Sequence, residues 1–248
     1  MPQRIVAILV LASLAAACAT RLPDRGPPPL TAAPDVAPNF AVPTIRDRMV
    51  FLARQEWALF GQPVAVRDGN GMLALEFPPN TAATHEAQAP SLSRVLLYWY
   101  TVTREPIVGV QGELRPWSAA FISWLARGAG LTADEFLPTI AHWEYIANFL
   151  GTDNGTRFVA RDPRIYAPRT GDLVCASRSN EVRDFAALRR GPYHCDLVVG
   201  SGHGAIEVIG GNVGDVVALA RLEVDGRGVL TPRTELPWVA VLEQRDTR

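Results

Sequence analysis

His194-Cys195-Asp196-Leu197-Val198-Val199-Gly200-Ser201-Gly202-His203-Gly204-Ala205-Ile206-Glu207-Val208-Ile209 is the stretch on which the fold turns. Two β-rich runs, 194–199 and 205–209, flank a Ser-Gly-His-Gly turn signal, the pattern of a hairpin. Similar short runs stand at 173–176, 216–223 and 238–242, with a further turn signal at Asp225-Gly226. Upstream of Gly151 the period is different. Ile45, Met49, Leu52, Ala53 and Phe60 recur at helical spacing, and Gly61 is a natural stop. A second helix carries Leu92, Val95, Leu96, Trp99 and Val102, with Ser91 placed to cap it. A third carries Ala119, Phe121, Ile122, Leu125 and Ala129 and ends near Gly128 and Gly130; a fourth covers about 139–151. Between the first two, 64–66 and 72–77 flank Asp68-Gly69-Asn70-Gly71 as a small hairpin. Helices first and strands afterwards predict an α+β domain, N-terminal helices packed on a mostly antiparallel sheet.

The 248 residues carry 24 basic and 25 acidic side chains, a formal net charge of −1. Nucleic-acid binders usually show a basic excess, so none is expected as a partner. Every basic residue is Arg, and the absence of Lys rules out a Schiff-base, P-loop or general-base lysine. A 48% hydrophobic content suffices for a core, and three Cys are too few for a disulfide framework.

Residues 5–17 are an apolar run after Arg4, too short for a membrane span of about 20 residues and of the length of a signal-peptide core. Ala15-Ala16-Ala17-Cys18 resembles a bacterial lipobox, although Leu14 stands one place early. The resemblance implies a signal peptide over 1–17, lipidation of Cys18 and, with Ala19 next, an outer-membrane anchor facing the periplasm. An ordinary cleaved signal peptide with an incidental cysteine is the alternative. Residues 19–43 hold seven Pro, which reads as an extended tether. The expected organisation is therefore a signal segment (1–17), a tether (18–43) and one domain (44–248).

Three segments could carry chemistry: Pro116-Trp117-Ser118-Ala119-Ala120-Phe121 opening a helix, His194-Cys195-Asp196 on a strand, and Gly210-Gly211-Asn212 at a strand end. Their order, with Gly171-Asp172-Leu173-Val174 between, resembles the papain-like amidase superfamily, in particular CHAP-type and NlpC-type cell-wall hydrolases. More closely, Trp117 to Trp124, His142 with Tyr145, His194-Cys195-Asp196 and Ile209-Gly210-Gly211-Asn212-Val213 resemble the bacterial domain-of-unknown-function family 2272, over most of 45–245. The resemblance implies a papain-like fold with Ser118 where the nucleophilic Cys would stand, His194 as its base and Asn212 orienting the imidazole. CHAP-type sites often add a Glu two residues before that Asn; here the position is Gly210.

A helix N-terminus favours a thiolate or an oxyanion, but a hydroxyl does not ionise there and needs a proton acceptor in contact. Ser118 has a plainer role open to it, that of helix N-cap, and Asn212 that of a turn residue. His142, on a helix apolar on both faces, reads first as a buried, structurally bonded histidine and second as a site residue. His85 and His203 fall in loop-like stretches and receive no role. Alternation along a strand turns Cys195 away from His194. Cys175 and Cys195 would lie opposite each other in an antiparallel pair, bonded in an oxidising compartment or buried as separate thiols. Their spacing with His194 and His203 matches no zinc motif, so neither metal nor cofactor is expected. Two functions remain. One is an envelope lipoprotein hydrolysing amide or peptide bonds, with peptidoglycan as a candidate substrate; the other is a catalytically inactive member that binds envelope peptides or proteins.

Overall fold

The computed structural model describes residues 42–67, 72–105, 115–151, 156–179 and 181–245. The signal segment, Cys18 and most of the tether lie outside the described residues, as does the hairpin turn at 68–71.

Thr44 opens the first helix, α1 (Ile45–Leu59), through a reciprocal capping box. Its hydroxyl accepts from Asp47 N at 3.1 Å, and the Asp47 carboxylate accepts from Thr44 N at 2.9 Å. Gly61 follows the Phe60 cap with φ 84°, a left-handed position that suits glycine. Strands β1 (Val64–Arg67) and β2 (Leu73–Glu76) then pair antiparallel. In α2 (Ser91–Thr103) the cap position is Pro90, and Ser91, expected as the cap, makes no capping hydrogen bond. The third helix, α3, is Ser118–Gly128, and the fourth, α4, is His142–Phe149.

The fourth helix is shorter than the spacing predicts. Ser123 Oγ donates to Thr139 O at 3.1 Å and accepts from Thr139 N at 3.0 Å. This tie to α3 accompanies the extended conformation of Ala141, and the helix starts only at His142. At the other end Leu150 is extended and Gly151 has φ 69°, so the helix also stops two residues early, at Phe149.

Six more strands follow: β3 (Phe158–Arg161), β4 (Leu173–Ser177), β5 (Tyr193–Gly202), β6 (Ala205–Val213), β7 (Val216–Glu223) and β8 (Trp238–Gln244). Together with the hairpin they form a sheet in the order β2-β1-β7-β6-β5-β4-β8-β3, antiparallel throughout except for β1 beside β7. The described residues thus form an α+β domain of four helices and eight mostly antiparallel strands. The β3 strand was not anticipated: its four residues show no alternation, because the first three are all buried.

The sheet has an apolar cluster on each face. Cys195, Leu197, Val199 and Ile209 join Phe121, Ile122 and Leu125 of α3 in the larger core. Val174, Val198, Ile206, Val208 and Val241 form a smaller one. The period-2 alternation of β5 therefore sorts Cys195 and Leu197 to the helical side and Val198 to the other.

Candidate functional site

The site is built around the first turn of α3. Trp117, just before it, is fully buried among Phe60, Tyr98 and Phe121, with ring centroids 5.9, 5.5 and 6.4 Å away. Its indole N–H donates to Glu86 Oε2 at 2.6 Å, which satisfies the one polar atom of the ring. Behind it, Arg94 and Tyr98 both hydrogen-bond the buried Glu56 carboxylate. A rigid box of large rings thus fixes where Ser118 begins the helix.

Ser118 is not a helix cap. It is the first helical residue, and no side chain caps α3. Its hydroxyl is instead in a 2.7 Å hydrogen bond with Nε2 of His142, the first residue of α4. This corrects the expected pairing: the imidazole in contact with Ser118 is His142, not His194. The His142 ring is buried and also hydrogen-bonds Tyr145 Oη through Nδ1, one helical turn along. Removal from water, with His194 and Arg178 nearby, holds His142 well below the ordinary imidazole range. It is therefore neutral at physiological pH. Burial, then the Asp196 charge, pushes the Tyr145 phenol well above its usual value, so it stays neutral too.

His194 lies next to this pair, its ring centroid 5.4 Å from that of His142. Its Nε2 is 2.8 Å from Asp196 Oδ1, and its Nδ1 is 3.1 Å from Nη2 of Arg178. A guanidinium can only donate. Nδ1 is therefore the acceptor and carries no proton, and Nε2–H donates to Asp196. The group that orients His194 is thus Asp196, whereas Asn212 was the expected one. Among the described residues, Asn212 makes no hydrogen bond to His194. It sits at an irregularity of β6 with φ 57° and lines a cavity that His194 and Asp196 also line. The carboxylate that seemed missing from the sequence is in the quoted stretch itself. Residues i and i+2 of a strand share a face, and that rule would have found it.

The two glycines before Asn212 have separate steric reasons. A Cβ on Gly210 would fall on the Asp196 carboxylate, overlapping Oδ1 and coming within 3.0 Å of Cγ. A Cβ on Gly211 would approach Phe121 and Trp117 to 2.7 Å. Gly210 makes room for the acid that holds His194, and Gly211 lets β6 approach the start of α3.

On the helical side, Cys175 and Cys195 face each other in the β4–β5 register and are joined by a disulfide. They immediately precede Ala176 and Asp196 and clamp the two strands beside the His194–Asp196 pair. On the other side, a cavity of about 630 Å³ is lined by His194, Asp196, Gly210 and Asn212, together with Arg67, Arg178 and Arg233. Ser118 and His142 are not among its lining residues.

A family model described as an uncharacterized protein conserved in bacteria, DUF2272, matches residues 94–244, well over half the chain. The match spans α2 to β8 and includes Ser118, His142, His194, Asp196 and Asn212. No curated protein and no solved structure gives a match.

Proposed function

The chain belongs to the DUF2272 family, and from the arrangement around α3 we propose that it is a papain-like hydrolase of amide or peptide bonds in the cell envelope, peptidoglycan being the foremost substrate. The observation that carries this reading is the 2.7 Å contact between Ser118 Oγ and His142 Nε2 at a helix start. A hydroxyl becomes a nucleophile when a neutral base in contact accepts its proton, and His142 is held neutral. In this mechanism Nδ1–H of His142 donates to Tyr145 Oη, which leaves Nε2 free to take the Ser118 proton. Ser118 Oγ bonds to the substrate carbonyl carbon, and the oxyanion meets the unpaired N–H groups of the first turn of α3. His142 then returns the proton to the leaving amine, and water releases the acyl group from Ser118 by the reverse path.

Because the base is held below the ordinary imidazole range, its neutral form persists on acidification. The acid limb of activity therefore lies well below about 6.5, the midpoint of an exposed histidine. The direct test is mass-spectrometric analysis of purified peptidoglycan treated with wild-type protein, Ser118→Ala or Ser118→Cys. New termini with the wild type and the Cys variant, and none with Ala, support the reading. Equal products from the wild type and Ser118→Ala refute it.

One observation favours a second reading, a catalytically inactive member that binds envelope peptides: the cavity is lined by His194 and Asp196 but not by Ser118. Absence of cleavage by both the wild type and Ser118→Cys would select it. In either reading the domain sits at the envelope, tethered through lipidated Cys18 and residues 19–43.

A further inference from the structure

The cavity contains a charge arrangement that hydrolysis at Ser118 does not use. Arg178 at the end of β4, Arg233 before β8 and Arg67 at the end of β1 come from three separate parts of the chain and line one space of about 630 Å³. Arg178 and Arg233 both feel the positive field of Arg67 and the negative field of Asp196. Arg221 lines the same space, as do Glu76 and Glu223, so four guanidinium groups share it with three carboxylates, and the carboxylate whose field reaches Arg178 and Arg233, that of Asp196, is already bonded to His194. Arg233 is only partly exposed, and its guanidinium carbon stacks 3.5 Å from the centroid of the Trp238 ring. Such stacking presents the planar edge of the guanidinium outward. Withdrawal from water pulls Arg233 down to about 10, with the field of Asp196 opposing that fall and the field of Arg67 adding to it.

Part of the lining is small and apolar, formed by Val66, Ala176, Val208, Ala218 and Ala220. The volume falls within the range of small-ligand pockets, about 300–1,000 Å³, and is larger than a lone inorganic anion needs. Guanidinium forks match carboxylates in paired, parallel hydrogen bonds.

We propose that this cavity binds a short peptide through its carboxylate groups, with Arg178 and Arg233 as the paired anchors and the Val and Ala surface receiving the peptide backbone. The site goes beyond the hydrolase reading and does not depend on it, because it is defined by binding alone.

The test is calorimetric titration of the full-length Ser118→Ala protein, in which turnover cannot interfere, with three probes: N-acetyl-Glu-Ala-Glu, its diamide N-acetyl-Gln-Ala-Gln, and inorganic phosphate. The acidic peptide is expected to bind, more weakly as salt is raised, and the diamide at least tenfold more weakly than the acid. Arg178→Gln and Arg233→Gln should each weaken the acidic peptide about tenfold or more, while Arg233→Lys, which keeps the charge but loses the fork, should fall between. Equal binding of acid and diamide to the unaltered cavity overturns the proposal without relying on any arginine variant. Phosphate binding tighter than the acidic peptide, or no binding of the acidic peptide at millimolar concentration, also overturns it. Because these outcomes are read from binding, their failure is separable from a failure of Ser118 chemistry.

Discussion

Replacing Gly210 by Ala tests the centre of the site with a single methyl group. The added Cβ would overlap Asp196 Oδ1, lie 3.0 Å from its Cγ and lie 3.1 Å from a methyl of Val213. The first obstacle is the end of a side chain that can rotate, so the strand need not break. The Asp196 carboxylate would swing away and give up its 2.8 Å bond to His194 Nε2–H. A hydrogen bond to a charged group is worth about 1.5–3 kcal/mol, and strain against Val213 adds to it. For a domain of this size that predicts a fall in Tm of about 3–12 °C. Gly226→Ala is the control, since nothing lies within 4 Å of its added Cβ, and it should change stability by less than about 0.5 kcal/mol. The assay is thermal and urea unfolding of both variants, with nitrogen–proton correlation spectra of the histidine rings. Wild-type His194 should show its proton on Nε2, and Gly210→Ala should lose that fixed tautomer. A Gly210→Ala protein as stable as Gly226→Ala, with the His194 tautomer unchanged, would refute the placement of Asp196.

Asp172, fully buried and accepting from Arg169 N, Gln244 N and Tyr166 Oη, is pushed up to about 6 by burial. With a folded pKa above the ordinary 3.8, the folded state binds more protons between the two values, so this group's contribution to stability falls as pH rises through that window. Two units correspond to at most about 3 kcal/mol, and Asp172→Asn should flatten the wild-type gain in unfolding free energy between pH 7 and 4.5; parallel curves would contradict this. The Cys175–Cys195 bond closes a loop of 20 residues, worth about 3 kcal/mol in the chain-entropy picture. Alkylation of denatured, unreduced protein should label neither cysteine, and the double Ala variant should melt earlier by the corresponding amount. Intact-mass analysis of membrane-extracted protein should give an acylated chain beginning at Cys18, whereas an unmodified chain starting elsewhere would remove the lipid anchor.

The strands were legible because alternation and turn chemistry agreed. Within 194–209, the glycine-rich turn and the flanking β-branched runs locate the starts of β5 and β6 to within a residue, although the strands run on to Gly202 and Val213, past the expected ends at 199 and 209. The β4–β5 register could be read from the cysteines, since equal distances from the connection place 175 opposite 195. What could not be read was set by tertiary contacts. The start of α4 depends on the Ser123–Thr139 tie, which local propensity does not encode. The β3 strand is defined by its pairing with β8, far along the chain. In the site, Ser118, His142, His194 and Asn212 were all singled out, but the pairing among them was not. His142 lies only 24 residues after Ser118, on a helix whose approach angle comes from packing, and it takes the contact expected of His194. The cavity arginines come from strands and loops that only the sheet order brings together.

The proposed hydrolase depends on Ser118 acting as a nucleophile activated by His142. The most direct measurement of that activation is intact-mass analysis of the protein after exposure to a fluorophosphonate, which phosphonylates a serine oxygen with loss of fluoride only where a base activates it. One adduct is expected, mapped to Ser118, absent in Ser118→Ala and in His142→Asn, and still formed at pH values below about 6.5 because His142 remains neutral there. Absence of an adduct on the wild-type protein, or an adduct that survives His142→Asn but not His194→Asn, would contradict it.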